Sequence, residues 1–308
     1  LGRSDHLSTA PSLHPELVDK YLSSKPLRNI SADEIFSKTS LPKFVKSLFN
    51  VYFRDHLYGC LKHSENVIFS NGAANECTFG LPESIKSALN YSLSRDWYGY
   101  SDSRGRDSAR EQIARYESEL RRSPSAITKN NIAITMGATQ AISSVANFIL
   151  SNTSSNAPPI CVLPNYPPLV ESISSSAGTI KLVEAQIENG KINLSRLKDS
   201  ITNDTPLVFL QTVSNPSGSK ISEQELNEII ESASLSTIFI LDECHDWLGS
   251  SQNHWKNSRK LYSNVIRVNS LSKQWSSPGL KIGWITASSS FIDEFYEFAS
   301  THYGGPPS

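Results

Sequence analysis

Short apolar runs that do not alternate with polar residues recur along the chain, at 132–135, 160–163, 180–183, 207–210, 238–241, 265–268 and 282–285. Runs of this length and kind mark strands buried on both faces. Between most of them the apolar spacing turns helical. Residues 223–233 follow Ser222, a side chain suited to cap a helix N-terminus, and 108–120 place Ile113, Tyr116 and Leu120 on one side. Strands alternating with helices predict an α/β fold: a mainly parallel, mixed seven-stranded sheet with helices on both faces. In such open sheets ligands bind beyond the C-terminal ends of the strands.

The first 65 residues break this rhythm. They hold short helical pieces at 15–22 and 41–53 with Pro, Ser and Lys between them, and they are expected to form a separate N-terminal arm. Of the serine-rich stretches, 151–156 reads as a loop and 172–176 as the frayed end of a helix. A basic cluster, Arg115 with Arg121 and Arg122, reads as the last turn of a helix, where cations suit the dipole.

Composition narrows the partners. With 38% hydrophobic and 19% charged residues in 308, and a formal net charge of -1, the chain has core enough for two domains and lacks the field that nucleic acid or an anionic membrane would need. Cys60, Cys77, Cys161 and Cys244 show no metal-ligand spacing, so neither a metal site nor a disulfide framework is expected. Cys161 reads as a small core residue. No apolar run approaches the roughly 20 residues of a membrane span, and 1–6 carry no secretory core. A cytoplasmic setting is the expectation.

The chemistry gathers at strand ends. Lys273 follows the strand-like 264–269, has Ser270 and Ser272 before it, and is followed by Gly279-Leu280-Lys281-Ile282-Gly283. A lysine held rigidly and out of water offers a neutral amine for Schiff-base chemistry. Upstream, Asn215-Pro216-Ser217-Gly218 ends one apolar run and Asp242 ends another. Thr135-Met136-Gly137-Ala138-Thr139-Gln140 forms a strand-to-helix turn. Each element alone is common. Together, in this order and each at a strand end, they resemble the fold-type I pyridoxal phosphate enzymes, specifically the class I/II aminotransferase family, over about residues 66–308.

That resemblance implies an aminotransferase-like large domain over 66–308, with 1–65 as arm or part of a small domain, and the cofactor pyridoxal 5'-phosphate. Lys273 would carry the cofactor as a Schiff base and move the substrate's proton. Asp242 would pair with the ring nitrogen and Asn215 with the phenolic oxygen. The backbone amides of Ala138 and Thr139 after Gly137, with Ser270 and Ser272, would hold the phosphate. Tyr166, in Pro164-Asn165-Tyr166-Pro167, would stack on the ring. Tyr100, five residues before Gly105, would reach the cofactor of a neighbouring subunit, which implies a homodimer with shared active sites. The implied reaction moves an amino group between an amino acid and a 2-oxo acid. The same apparatus also serves lyases, cyclases and oxidases of amino acids, and non-catalytic sensor domains.

Three departures from the family pattern stand out. Lys281 occupies the place of an arginine eight residues after the lysine, keeping the charge without the bidentate fork. His245 stands where a tyrosine usually contacts the phenolic oxygen; its imidazole can donate the same bond and titrates near neutral pH. No arginine follows Arg267, and Met136 is the only methionine, so the chain is expected to be a fragment that lacks the C-terminal small domain and its substrate-carboxylate arginine.

Overall fold

The computed structural model describes residues 80–95, 99–120, 127–246 and 262–306. The helical pieces expected at 15–22 and 41–53, Arg121, Arg122, Cys60 and Cys77 lie outside the described residues. The chain divides between Gly80 and Leu81, and the fold below is that of the unit Leu81–Ser308.

Its frame is a sheet of seven strands: β1 (Ile132–Thr135), β2 (Ile160–Leu163), β3 (Lys181–Glu184), β6 (Leu207–Gln211), β8 (Ile238–Asp242), β9 (Val265–Ser270) and β10 (Gly283–Thr286). Their spatial order is β1-β10-β9-β8-β6-β2-β3. Strands β9, β8, β6, β2 and β3 pair in parallel, whereas β10 runs antiparallel to both of its neighbours. The expected strands therefore form, shifted by no more than two residues at either end.

A period of two within each strand sorts the core into two layers. Cys161, Phe209, Ile240, Ile266 and Val268 face one side, against α3 (Gly137–Asn152), α4 (Pro167–Ala177) and α8 (Ser289–His302). Val162, Val208, Leu210, Phe239, Leu241 and Val265 face the other, against α5 (Ser195–Ser200) and α6 (Glu223–Ser232). Each large apolar side chain so buried contributes about 1.5–3 kcal/mol. Helix α6 presents Leu226, Ile229 and Ile230 to this layer, and the Ser222 hydroxyl caps it by accepting from the Glu225 N–H. Helix α8 presents Ile292, Phe295 and Ala299, and its N-cap Ser288 accepts from the Phe291 N–H.

Three features go beyond what the sequence showed. Residues 172–176 are not a frayed end: they lie within α4, with Ile173 fully buried. In α2 (Asp107–Leu120), which follows α1 (Glu83–Leu93), Ile113 and Tyr116 pack against the core as expected, and the fully buried stripe beside them is Arg110, Ala114, Glu117 and Ser118. Its polar groups find partners except at Arg110 Nε: the Arg110 terminal nitrogens pair with Asp107 and donate to the Lys129 carbonyl, and Glu117 accepts from the indole N–H of Trp284 at 2.7 Å. The third concerns a small second sheet that apolar runs did not reveal, made of β4 (Gln186–Glu188), β5 (Lys191–Asn193) and β7 (Lys220–Ile221). Asn189 and Gly190 both take positive φ and close the β4–β5 hairpin in two residues, the geometry an Asn-Gly pair favours.

Candidate active site

Strand register brings the candidates to one edge of the sheet. Thr135 lies opposite Gly283, and Gly283 opposite Ser270, on β1, β10 and β9. Further along, Asp242 lies opposite Val268 on one side and Gln211 on the other. The turn at Gly137 and the turn at Ser270 thus stand two strand spacings apart, about 10 Å.

Helix α3 begins at Gly137, whose φ of 77° suits a residue without a side chain. Met136 supplies no side-chain cap, so the first amides of the helix, including those of Ala138 and Thr139, point at the sheet edge with the positive end of the dipole behind them. A Cβ on Gly137 would lie 3.8 Å from the Lys281 ammonium nitrogen, so that cation sits over the helix start. Gly283 presses against the same turn from β10: a Cβ there would fall 2.8 Å from the Ala138 nitrogen. Lys281 itself is exposed and left-handed, with φ 53°.

Asp242 is 4% exposed at the end of β8. Its Oδ2 accepts from Gln211 Nε2 at 2.9 Å and its Oδ1 from the Cys244 backbone N–H at 3.1 Å. Lys273 lies one short turn beyond β9, in α7 (Leu271–Gln274), and is half-buried. Gln274 beside it accepts from the Tyr116 hydroxyl at 2.7 Å, which ties the lysine's turn to α2. Ser270 is buried at the N-cap of α7, where its hydroxyl accepts from the Ser272 N–H and donates to Cys244 Sγ at 3.5 Å.

His245 is half-buried in the turn after Asp242, within electrostatic reach of both Asp242 and Lys273. Burial holds its imidazole below the usual range; Asp242 opposes that shift and Lys273 adds to it. Burial, joined by the Asp242 charge, pushes the Cys244 thiol well up, and burial pushes Cys161 to about 12, so neither is a thiolate near neutral pH.

Asn215 opens a tight turn that Gly218 closes by donating to the Ser214 carbonyl at 2.8 Å. Tyr166 precedes α4, half-buried against the core that α3 shares. Tyr100 is fully exposed and makes no hydrogen bond to the other candidates. Among the described residues there is no cluster of His, Cys, Asp and Glu that could hold a metal, and no helix long and apolar enough to cross a membrane.

Two participants were missed in the sequence. Gln211 carries a readable signal, a lone amide ending the apolar run 207–210. The other is a buried ion pair between Arg267 on β9 and Glu243, each side chain less than 5% exposed. Arg267 is thus buried and held by Glu243 inside the fold.

A mixed sheet of this order, with a lysine one turn beyond β9 and an aspartate ending β8, has the fold-type I architecture of pyridoxal phosphate enzymes. The sequence model of the family described as aminotransferase class I and II matches residues 42–308, and the chain belongs to that family. It is 27% identical over 210 residues to a probable N-acetyl-LL-diaminopimelate aminotransferase of Bacillus subtilis, covering 68% of this chain and 52% of that one. Against an aspartate aminotransferase of Bacillus sp. the identity is 26% over 242 residues, covering 76% and 60%. The chain thus spans little more than half the length of these curated relatives. Among solved structures, aspartate aminotransferase of Thermotoga maritima superposes with a TM-score of 0.69 at 21% identity, over 87% of this chain and 69% of that one. An Escherichia coli protein with methionine aminotransferase function gives 0.71 at 20%, over 83% and 66%. At these identities the structures speak for the fold alone.

Proposed function

We propose that this chain is the cofactor-binding part of an aminotransferase that moves an amino group between an amino acid and a 2-oxo acid with pyridoxal 5'-phosphate. The observation that carries the reading is the meeting, on one sheet edge, of an uncapped helix N-terminus under a lysine ammonium, a doubly bonded buried carboxylate and a half-buried lysine. These suit the three features of the cofactor, an anionic phosphate, a basic ring nitrogen and an aldehyde. When bound, the cofactor supplies an electron sink for bonds at the substrate's α-carbon.

In this reading Lys273 is the attachment point, and its amine moves the proton at the α-carbon. Asp242 keeps the ring nitrogen protonated, an anion facing a cation. Asn215 donates to the phenolic oxygen, and His245 does so in the position where relatives usually have a tyrosine. The amides of Ala138 and Thr139 after Gly137 hold the phosphate, with Ser270, Ser272 and Lys281. Tyr166 lies against the ring. The full exposure of Tyr100 supports its reaching a second subunit, and with it a homodimer of shared sites. The cysteine usage and near-neutral charge support a cytoplasmic enzyme.

The test is borohydride trapping. The protein is incubated with pyridoxal phosphate, reduced and digested, and the modified peptide is mapped. Label on Lys273, lost in Lys273→Ala, with 2-oxo acid formed only when a keto acceptor is added, is the expected result. A folded protein that takes no label overturns the reading.

A further inference from the structure

We propose that Gln211 is a positioning residue, whose single side-chain amide sets the spacing and orientation of Asp242 relative to Asn215; the inference rests on the cofactor reading above. Gln211 ends β6 directly opposite Asp242 and is 4% exposed. Its Nε2 donates to Asp242 Oδ2 at 2.9 Å, and its Oε1 accepts from the Asn215 backbone N–H at 3.0 Å.

Both ends of the amide are therefore used, and by groups that admit only one orientation. A carboxylate needs a donor and a backbone N–H needs an acceptor, so a flipped amide would set oxygen against oxygen. The two residues bridged are those assigned to two polar positions on one side of the cofactor's ring, its nitrogen and its phenolic oxygen. One follows β6 and the other ends β8, with β7 and α6 between them in the chain. Strand pairing fixes their backbones only to the precision of the sheet, and the β6 turn after Ser214 adds its own freedom. A buried bridge removes that freedom. An amide also donates and accepts alike at any ordinary pH, unlike neighbours of Asp242 such as Cys244 and His245. Its hold on the carboxylate does not vary as they titrate.

The alternative is a side chain that only satisfies buried polar groups, and the test separates the two. Gln211→Met keeps the shape and removes both bonds. The purified protein is loaded with pyridoxal phosphate, and the visible circular dichroism per bound cofactor, which reports how rigidly the ring is held, is recorded with kcat, KM and Tm. The expected result is a visible signal reduced at least twofold and kcat lowered about tenfold, the scale of one lost hydrogen bond to a charged group, with KM within about twofold. Wild-type signal and kcat in a folded Gln211→Met, whatever its Tm, overturn the proposal. Should Gln211→Met not fold, Gln211→Asn carries the test, with the same groups one methylene short; it is expected to lose signal and kcat in smaller measure, and an unchanged signal overturns the proposal. A wild-type protein that binds no pyridoxal phosphate overturns the cofactor reading, and this inference with it. Binding by the wild type, with no change in the variants, overturns this inference alone.

Discussion

Gly283 and Gly137 meet backbone to backbone. A Cβ on Gly283 would lie 2.6 Å from the Gly137 carbonyl carbon, and no flexible side chain is there to yield. Gly283→Ala must therefore push β10 away from the start of α3. The expected cost is about 1–3 kcal/mol, the range for overpacking a tight contact, together with weaker cofactor binding. Thermal denaturation and a pyridoxal phosphate titration check both; an unaltered pair of values would show that the contact relaxes freely.

The pair of Arg267 and Glu243 makes a second prediction. Removing one partner strands a buried charge, so Arg267→Met is expected to cost about 3–5 kcal/mol. The double variant Arg267→Met, Glu243→Leu should recover part of that loss, because no charge is left unpaired. Chemical denaturation of the two variants reads the difference directly.

His245 gives a pH dependence whose sign can be worked out. Its folded value lies below the ordinary 6.5, so between the two values the unfolded chain binds more protons than the folded one. Stability from this group is complete above about pH 6.5 and declines as pH falls toward the folded value. His245→Gln should flatten the stability profile between about pH 7.5 and 5. Parallel profiles for variant and wild type would remove His245 as the source.

Lys281 lies over the start of α3, where its charge faces the proposed phosphate. Lys281→Ala is expected to weaken pyridoxal phosphate binding by about tenfold, the scale of one charged hydrogen bond. Lys281→Arg should bind at least as tightly as wild type, since its fork suits a phosphate. Equilibrium dialysis of the three proteins against the cofactor decides it.

The strands were legible because burial on both faces leaves an unbroken apolar run, and 207–210 or 238–241 admit little else. Edge strand β3 was readable only to within a residue, since three of its four residues are exposed. The β4–β5 hairpin was hidden by its brevity, although Asn189-Gly190 signals it. The buried polar stripe of α2 was hidden because Arg110 and Glu117 look like surface residues until Lys129 and Trp284, distant in sequence, arrive to bind them. Most of the proposed ligand-facing residues stood out because they sit where a strand stops, unlike Lys281 and Tyr100. Gln211 did not, because its role depends on a register between strands that no local pattern encodes.

Strand β10 enters the sheet edge that every other strand leaves. The connection 271–282 between β9 and β10 therefore starts and finishes at the same end of the molecule, with Leu271 N–H bonded to the Ile282 carbonyl at 3.0 Å. Lys273 and Lys281 are carried on one hairpin loop, so the distance between the proposed attachment point and the proposed phosphate cation is a local length, set by a single stretch of chain. A residue inserted there would alter the reach between the two cations without disturbing any strand pairing. In the proposed reading, loop length at this one place sets the reach between the lysine that takes the aldehyde and the lysine that faces the phosphate.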